Sequence, residues 1–123
     1  MYLVDSNIFL EIFLDQERSD KAKLFFSQND TSKLYISDLS FYSIGIILFR
    51  NKKKSLFNSF LTDIYVSNIE KLSLPITKLN QINMTSEKFN LDFEDSYQYL
   101  IAKEFNTQYI LKVGNADVNR FEF

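Results

Sequence analysis

Three short apolar runs, Tyr2-Leu3-Val4, Leu34-Tyr35-Ile36 and Tyr109-Ile110-Leu111, constrain this chain more than any other feature. Each is too short for a buried helix and rich in β-branched or aromatic residues, so each reads as a buried strand. A further strand is expected between Tyr65 and Leu74, around Ile69 to Leu72. The stretches between these runs carry the helical period instead. Ile8, Phe9, Ile12 and Phe13 predict a helix over residues 6–14, and Ala22, Leu24, Phe25 and Phe26 an apolar side for one over 18–28. Asn29 to Ser32 reads as a loop. Ser37 and Asp38 open a helix to about Phe49, and another follows the break at Asn51 to Ser55 and runs to about Thr62. Pro75 suits the first turn of a helix over 75–83. Phe93 to Phe105 is the clearest late helix, with Tyr97, Leu100, Ile101 and Phe105 toward the core. The tail from Val113 is either irregular or a last edge strand. Strands alternating with helices dictate an α/β fold: three layers, α/β/α, around a central parallel sheet of four or five strands. One domain over residues 1–123 is expected, with no repeat, linker or low-complexity segment.

Composition narrows the chemistry. Only 2 Gly and 1 Pro argue against a turn-rich β-sandwich, while 13 Phe and 7 Tyr within a 46% hydrophobic chain supply a real core. There is no Cys and no His, which excludes disulfides, zinc fingers, thiolate nucleophiles and every His-based triad or general base. A net charge of −2 does not indicate a strongly basic surface that coats nucleic acid. No basic leader with an apolar core precedes Tyr2, and no apolar run reaches the ~18 residues of a membrane span. The expected location is the cytoplasm, with no membrane contact. Chemistry must come from carboxylates, hydroxyls, amides, Lys, Arg, or a metal that they hold.

The acids recur where such a fold presents its functional edge. Ligands of open parallel sheets bind beyond the carboxyl ends of the strands. Asp5 directly follows the first strand, Ser37 and Asp38 follow the second, and Asp117 follows the strand at 109–111. Asp92, Glu94 and Asp95 crowd the start of the helix that feeds that strand. Each acid singly is an ordinary N-cap or first-turn residue. Together they would repel one another unless a divalent cation sat among them, and oxygen-only ligands favour Mg2+ or Mn2+ over zinc. Such an ion activates water for phosphodiester hydrolysis.

The segment YLVDSNIFLEIFLDQERSDKAKLFF resembles the opening of a PIN domain of the VapC-type toxins. There a strand, an Asp, a Thr or Ser and an Asn lead into an apolar helix. LYISDLSFYSIGIILFR is similar to that family's second strand and helix, and LDFEDSYQYLIAKEFNTQYIL to its third acidic segment. The likeness covers nearly the whole chain in the right order. It implies a PIN-like three-layer fold and a Mg2+- or Mn2+-dependent ribonuclease. It also implies an RNA substrate, a small antitoxin partner and a homodimer. Asp5 matches the first acidic ligand and Asp95 the third, with Ser6 and Asn7 as the polar residues supporting Asp5. Two departures stand out. The family's second acid, usually a Glu in the helix after the second strand, falls at Ser43, and Asp38 at that helix's mouth does not substitute in place. The last motif is blurred in LKVGNADV, so Asn115 and Asp117 compete for the final position. The alternative implied by these departures is a catalytically degenerate PIN-like module that binds RNA or a protein partner.

Other features have simpler readings. The basic turn Arg50 to Lys54, near Tyr42 and Phe49, is a solvated loop before it is an RNA contact. Phe41, Ile44 and Leu48 are core residues rather than a partner groove. Lys112, a candidate phosphate contact, is more commonly an exposed strand-end residue. A phosphoacceptor receiver domain of similar length normally has an acidic pair after its first strand and an Asp after its third. Here Asp5 stands alone and NIEKLSLP ends without one.

Overall fold

In the computed structural model the described residues are 2–14, 20, 24, 27, 34–107, 109–113 and 118–122. They form a five-stranded sheet of order β3-β2-β1-β4-β5. β1 (Tyr2–Val4), β2 (Leu34–Ser37), β3 (Glu70–Leu72) and β4 (Tyr109–Val113) run parallel; β5 (Val118–Glu122) closes the edge antiparallel to β4. The expected sheet of four or five strands is thus four parallel strands and the anticipated edge strand. Register pairs Leu3 with both Tyr35 and Ile110, so β1 lies at the centre.

Strand alternation divides the core in two. Val4, Leu34 and Ile36 face one side, where α1 (Ser6–Phe13), α2 (Asp38–Arg50) and α3 (Ser55–Val66) bring Ile8, Ile44, Leu48 and Phe60. Leu3 and Leu72 face the other, where α5 (Ile82–Phe89) and α6 (Phe93–Glu104) bring Ile82, Leu100 and Ile101. Helices on both faces of a largely parallel sheet make the expected three layers. Ile44 and Leu48 are fully buried, and Phe41 stacks near Phe60 at 5.2 Å between ring centroids, so this stripe is core. With so few glycines, three helix ends turn through Asn68, Asn90 and Asn106 at positive φ, a conformation that Asn tolerates better than most residues.

Several expectations need correction. α3 runs to Val66, past Thr62. The helix over 75–83 is two elements: α4 (Ile76–Leu79) and then α5. Pro75 is extended at φ −67 and ψ 153, outside the first turn, and a tight bond from Gln81 N–H to the Lys78 carbonyl (3.2 Å) separates the two helices. Phe105 caps the end of α6 and is exposed rather than core, because the chain leaves the buried stripe there. Asp20, Leu24 and Ser27 are helical, but Leu24 is 56% exposed instead of lying on an apolar side. The rest of the 18–28 helix, the 29–32 loop, Asn115 and Asp117 lie outside the described residues, as does the side chain of Lys112. No helix among the described residues is long and apolar enough to cross a membrane.

Candidate active site

β1 has β2 on one side and β4 on the other, so the chain's path reverses beside its carboxyl end. That is where open α/β sheets place ligands. Asp5 sits at this point, 6% exposed, and caps α1 by accepting the Ser6 N–H at 2.9 Å on Oδ1. The same oxygen accepts a hydrogen bond from Gln98 Nε2 at 2.8 Å, 93 positions away. A carboxylate removed from water needs such donors to remain charged.

α6 delivers Gln98 from the opposite layer. Its N-cap is Asp92, whose Oδ1 accepts the Asp95 N–H at 2.8 Å, and Glu94 and Asp95 occupy its first turn. Glu94 and Gln98 are four residues apart and share a helix face. Glu94 Oε1 accepts from Ser6 Oγ at 3.2 Å, so this face of α6 meets the start of α1 beside Asp5. Burial holds the Glu94 carboxyl above the usual carboxylate range; the charges of Asp5, Asp92 and Asp95 push the same way, and the Ser6 hydroxyl partly offsets them. Negative charge is therefore concentrated under strain at this edge.

Asp38 has a different task. Its Oδ1 accepts from its neighbour's amide (Leu39, 2.8 Å) and from the Tyr97 hydroxyl at 2.6 Å. That hydroxyl in turn accepts the Leu74 N–H at 3.0 Å, tying α6, α2 and the segment after β3 together. Burial first, and the bond to Asp38 second, push the Tyr97 phenol up to about 12. Asp38 thus clamps Tyr97. Ser43 is half-buried on α2, three residues from the fully buried Ser40. Asn7 is exposed. The basic turn is largely exposed, as expected of a solvated loop.

Asp5, Ser6 and Glu94 are brought together here. Asp95 follows Glu94 in the first turn of α6, and its charge acts on Glu94. Among the described residues, no group of three or more acidic side chains is placed to hold a metal ion by itself. Two participants went unread in the sequence. Gln98 carried one signal, a polar residue inside the apolar stripe of Tyr97, Leu100 and Ile101. Tyr97 was read as core alone, and its buried hydroxyl gave no local sign of partners.

The arrangement is that of a small α/β protein with an acidic site at the carboxyl edge of its sheet. The PIN domain model matches residues 2–120, and the chain belongs to that family. The fold is similar to that of VapC20 from Mycobacterium tuberculosis, described as a sarcin-ricin loop cleaving toxin. The TM-score is 0.76 at 10% identity, over 89% of this chain and 87% of that one. It is also similar to FitAcB from Neisseria gonorrhoeae, with a TM-score of 0.63 at 16% identity, over 86% and 83% of the two chains. PAE2754 from Pyrobaculum aerophilum gives a TM-score of 0.54 at 20% identity, over 85% and 73%. Among curated proteins, 90 residues (73% of this chain) are 31% identical to a segment of the glucose-6-phosphate isomerase of Borreliella burgdorferi. The Borreliella afzelii isomerase is 32% identical over 89 residues. The chain spans only 17% of the length of these enzymes.

Proposed function

We propose that this PIN domain is a metal-dependent endoribonuclease of the VapC toxin type. It would hydrolyse RNA phosphodiesters in the cytoplasm and be held in check by a small antitoxin, as a single domain able to pair as a homodimer. The observation that carries the reading is Asp5, buried at the carboxyl end of the central strand against the acidic start of α6.

The donors fit the ion that the family implies. They are oxygens without exception, which suits Mg2+ or Mn2+. The buried Oε1 of Gln98, beside Asp5, has no partner among the described residues. Asp5, Asp95 and Asp117 would hold the ion, with Asn115 as the other candidate for the last position and Glu94 adding charge. Bound there, the metal supplies a water nucleophile at neutral pH and stabilises the leaving oxygen. The protein's own part is to hold Asp5 in place. Ser6 N–H and Gln98 Nε2 do this, and Ser6 Oγ holds Glu94 alongside. Asn7, exposed at the start of α1, is the other polar residue that the family resemblance assigns to the support of Asp5.

One observation favours a second reading, a degenerate module that binds RNA or a protein without cleaving: the neutral Ser43 at the second acidic position. Incubating a structured RNA with the protein in Mn2+, in Mg2+ and in chelator separates the two. The nuclease reading expects cleavage in Mn2+ that stops in chelator and in Asp5→Asn, a variant that keeps the helix cap. RNA bound but intact under every condition supports the second reading instead.

A further inference from the structure

Gln98 is wholly buried, and half of its amide is used. Nε2 donates to Asp5 Oδ1 at 2.8 Å, whereas Oε1 has no partner among the described residues. Exchanging the two amide atoms would not relieve this. It would set a carbonyl oxygen against a carboxylate oxygen, acceptor against acceptor. The acceptor is therefore fixed in position by the donor. An amide separates its nitrogen and oxygen by only about 2.3 Å, which puts Oε1 within roughly 5 Å of Asp5 Oδ1. Leaving a carbonyl acceptor buried and unpaired is costly, and unlike the unpaired hydroxyls of Ser40, Ser96 and Thr107, this one lies within reach of an acidic site. Leu100 and Ile101, its neighbours on α6, show that apolar residues fill this layer well.

We propose that Gln98 is a positioning residue of the metal centre: it fixes Asp5 through Nε2 and accepts, through Oε1, a hydrogen bond from a water on the divalent ion that Asp5 holds. This rests on the metal-dependent reading above. A hard cation of this kind keeps several waters in its shell, and each bound water is a strengthened donor. Residues that orient a metal-binding carboxylate tune affinity without touching the ion. Gln98 lies one turn beyond Asp95 on α6, so the same helix that contributes an acid also sets the angle of Asp5.

The test is Mn2+ affinity, read by calorimetry and by the thermal midpoint of the full chain with and without the ion. It compares wild type, Gln98→Leu and Gln98→Glu. Gln98→Leu removes both hydrogen-bonding atoms and keeps an apolar volume. We expect it to bind Mn2+ about 10- to 100-fold more weakly. Its metal-free midpoint should fall, because Asp5 Oδ1 loses a donor, so the Mn2+ affinity and not the midpoint decides the matter. Gln98→Glu keeps the shape and the acceptor but sets an oxygen against Asp5 Oδ1 in place of the donor, so it should melt lower than wild type without metal. A purely structural Gln98 would move the metal-free midpoint and leave the affinities alike; equal Mn2+ binding by wild type and Gln98→Leu overturns the proposal. If Gln98→Leu does not fold, Gln98→Met, which keeps the length without either hydrogen-bonding atom, takes its place, and Mn2+ binding equal to wild type overturns the proposal. A wild type that shows no Mn2+ response overturns the metal-dependent reading itself, and the role of Gln98 with it.

Discussion

Replacing Tyr97 with Phe removes one oxygen that two other groups depend on. The Tyr97 hydroxyl donates to Asp38 Oδ1 at 2.6 Å and accepts the buried Leu74 N–H at 3.0 Å. A hydrogen bond to a charged group is worth about 1.5–3 kcal/mol, and a buried N–H left unpaired costs about 1–3 kcal/mol. Asp38 keeps the Leu39 amide, which limits its loss. Tyr97→Phe should therefore destabilise by about 3 kcal/mol and lower Tm by roughly 12 °C, at about 4 °C per kcal/mol for a chain of this size. The effect depends on pH with a definite sign. The folded-state pKa is raised from 10.0 to about 12, so the phenol's contribution is complete below pH 10 and declines as pH climbs toward 12. The slope is about 1.4 kcal/mol per pH unit. Every other group is common to the two proteins, so the difference isolates Tyr97. Urea denaturation at pH 8 and pH 11 should show a gap of about 3 kcal/mol that falls to roughly half. A gap under about 1 kcal/mol at pH 8, or one that does not narrow at pH 11, refutes the bridge among Asp38, Tyr97 and Leu74.

Two further outcomes follow from the acidic edge. The raised Glu94 carboxyl contributes its stability only at low pH and loses it as pH rises through its folded-state value. Glu94→Gln should thus melt higher than wild type at pH 7 without metal, equal it near pH 4, and respond less to Mn2+; a lower midpoint at pH 7 would contradict the crowding. Ser43→Glu should tighten Mn2+ binding and lower the metal-free midpoint, the latter recovering when the ion is added, because a ligand of the native state stabilises it by mass action. If neither the midpoint nor the Mn2+ response moves, Ser43 does not face the acidic cluster.

What was legible in the sequence was what local pattern determines. The apolar triplets were bounded by polar residues, so β1, β2 and β4 stood out, and Asp5 announced itself as the acid between a strand and a helix. α5 was obscured because INMTSEKF buries only Ile82 and Thr85, too few to make a stripe. Pro75 was placed inside a helix because its fixed φ suits a first turn as well as the residue before one. The site's interior was harder. Ser6 meets Glu94 across 88 positions and Asp5 meets Gln98 across 93, and no local period encodes which face of α6 turns toward β1. Glu94 and Asp95 are adjacent, so an acidic first turn was evident, but the contact of Glu94 with Ser6 depended on packing between layers. Gln98 looked like an interruption of an apolar stripe, because its partner is defined only once the sheet is assembled.

Anomalous diffraction from crystals soaked in Mn2+ tests the central claim most directly. The account predicts a Mn2+ peak at the carboxyl end of β1, roughly 2 Å from a carboxylate oxygen of Asp5, with α6 acids turned toward it. The same soak of Asp5→Asn should lose the peak. Wild-type crystals at saturating Mn2+ with no density beside Asp5 would contradict a metal centre at this edge.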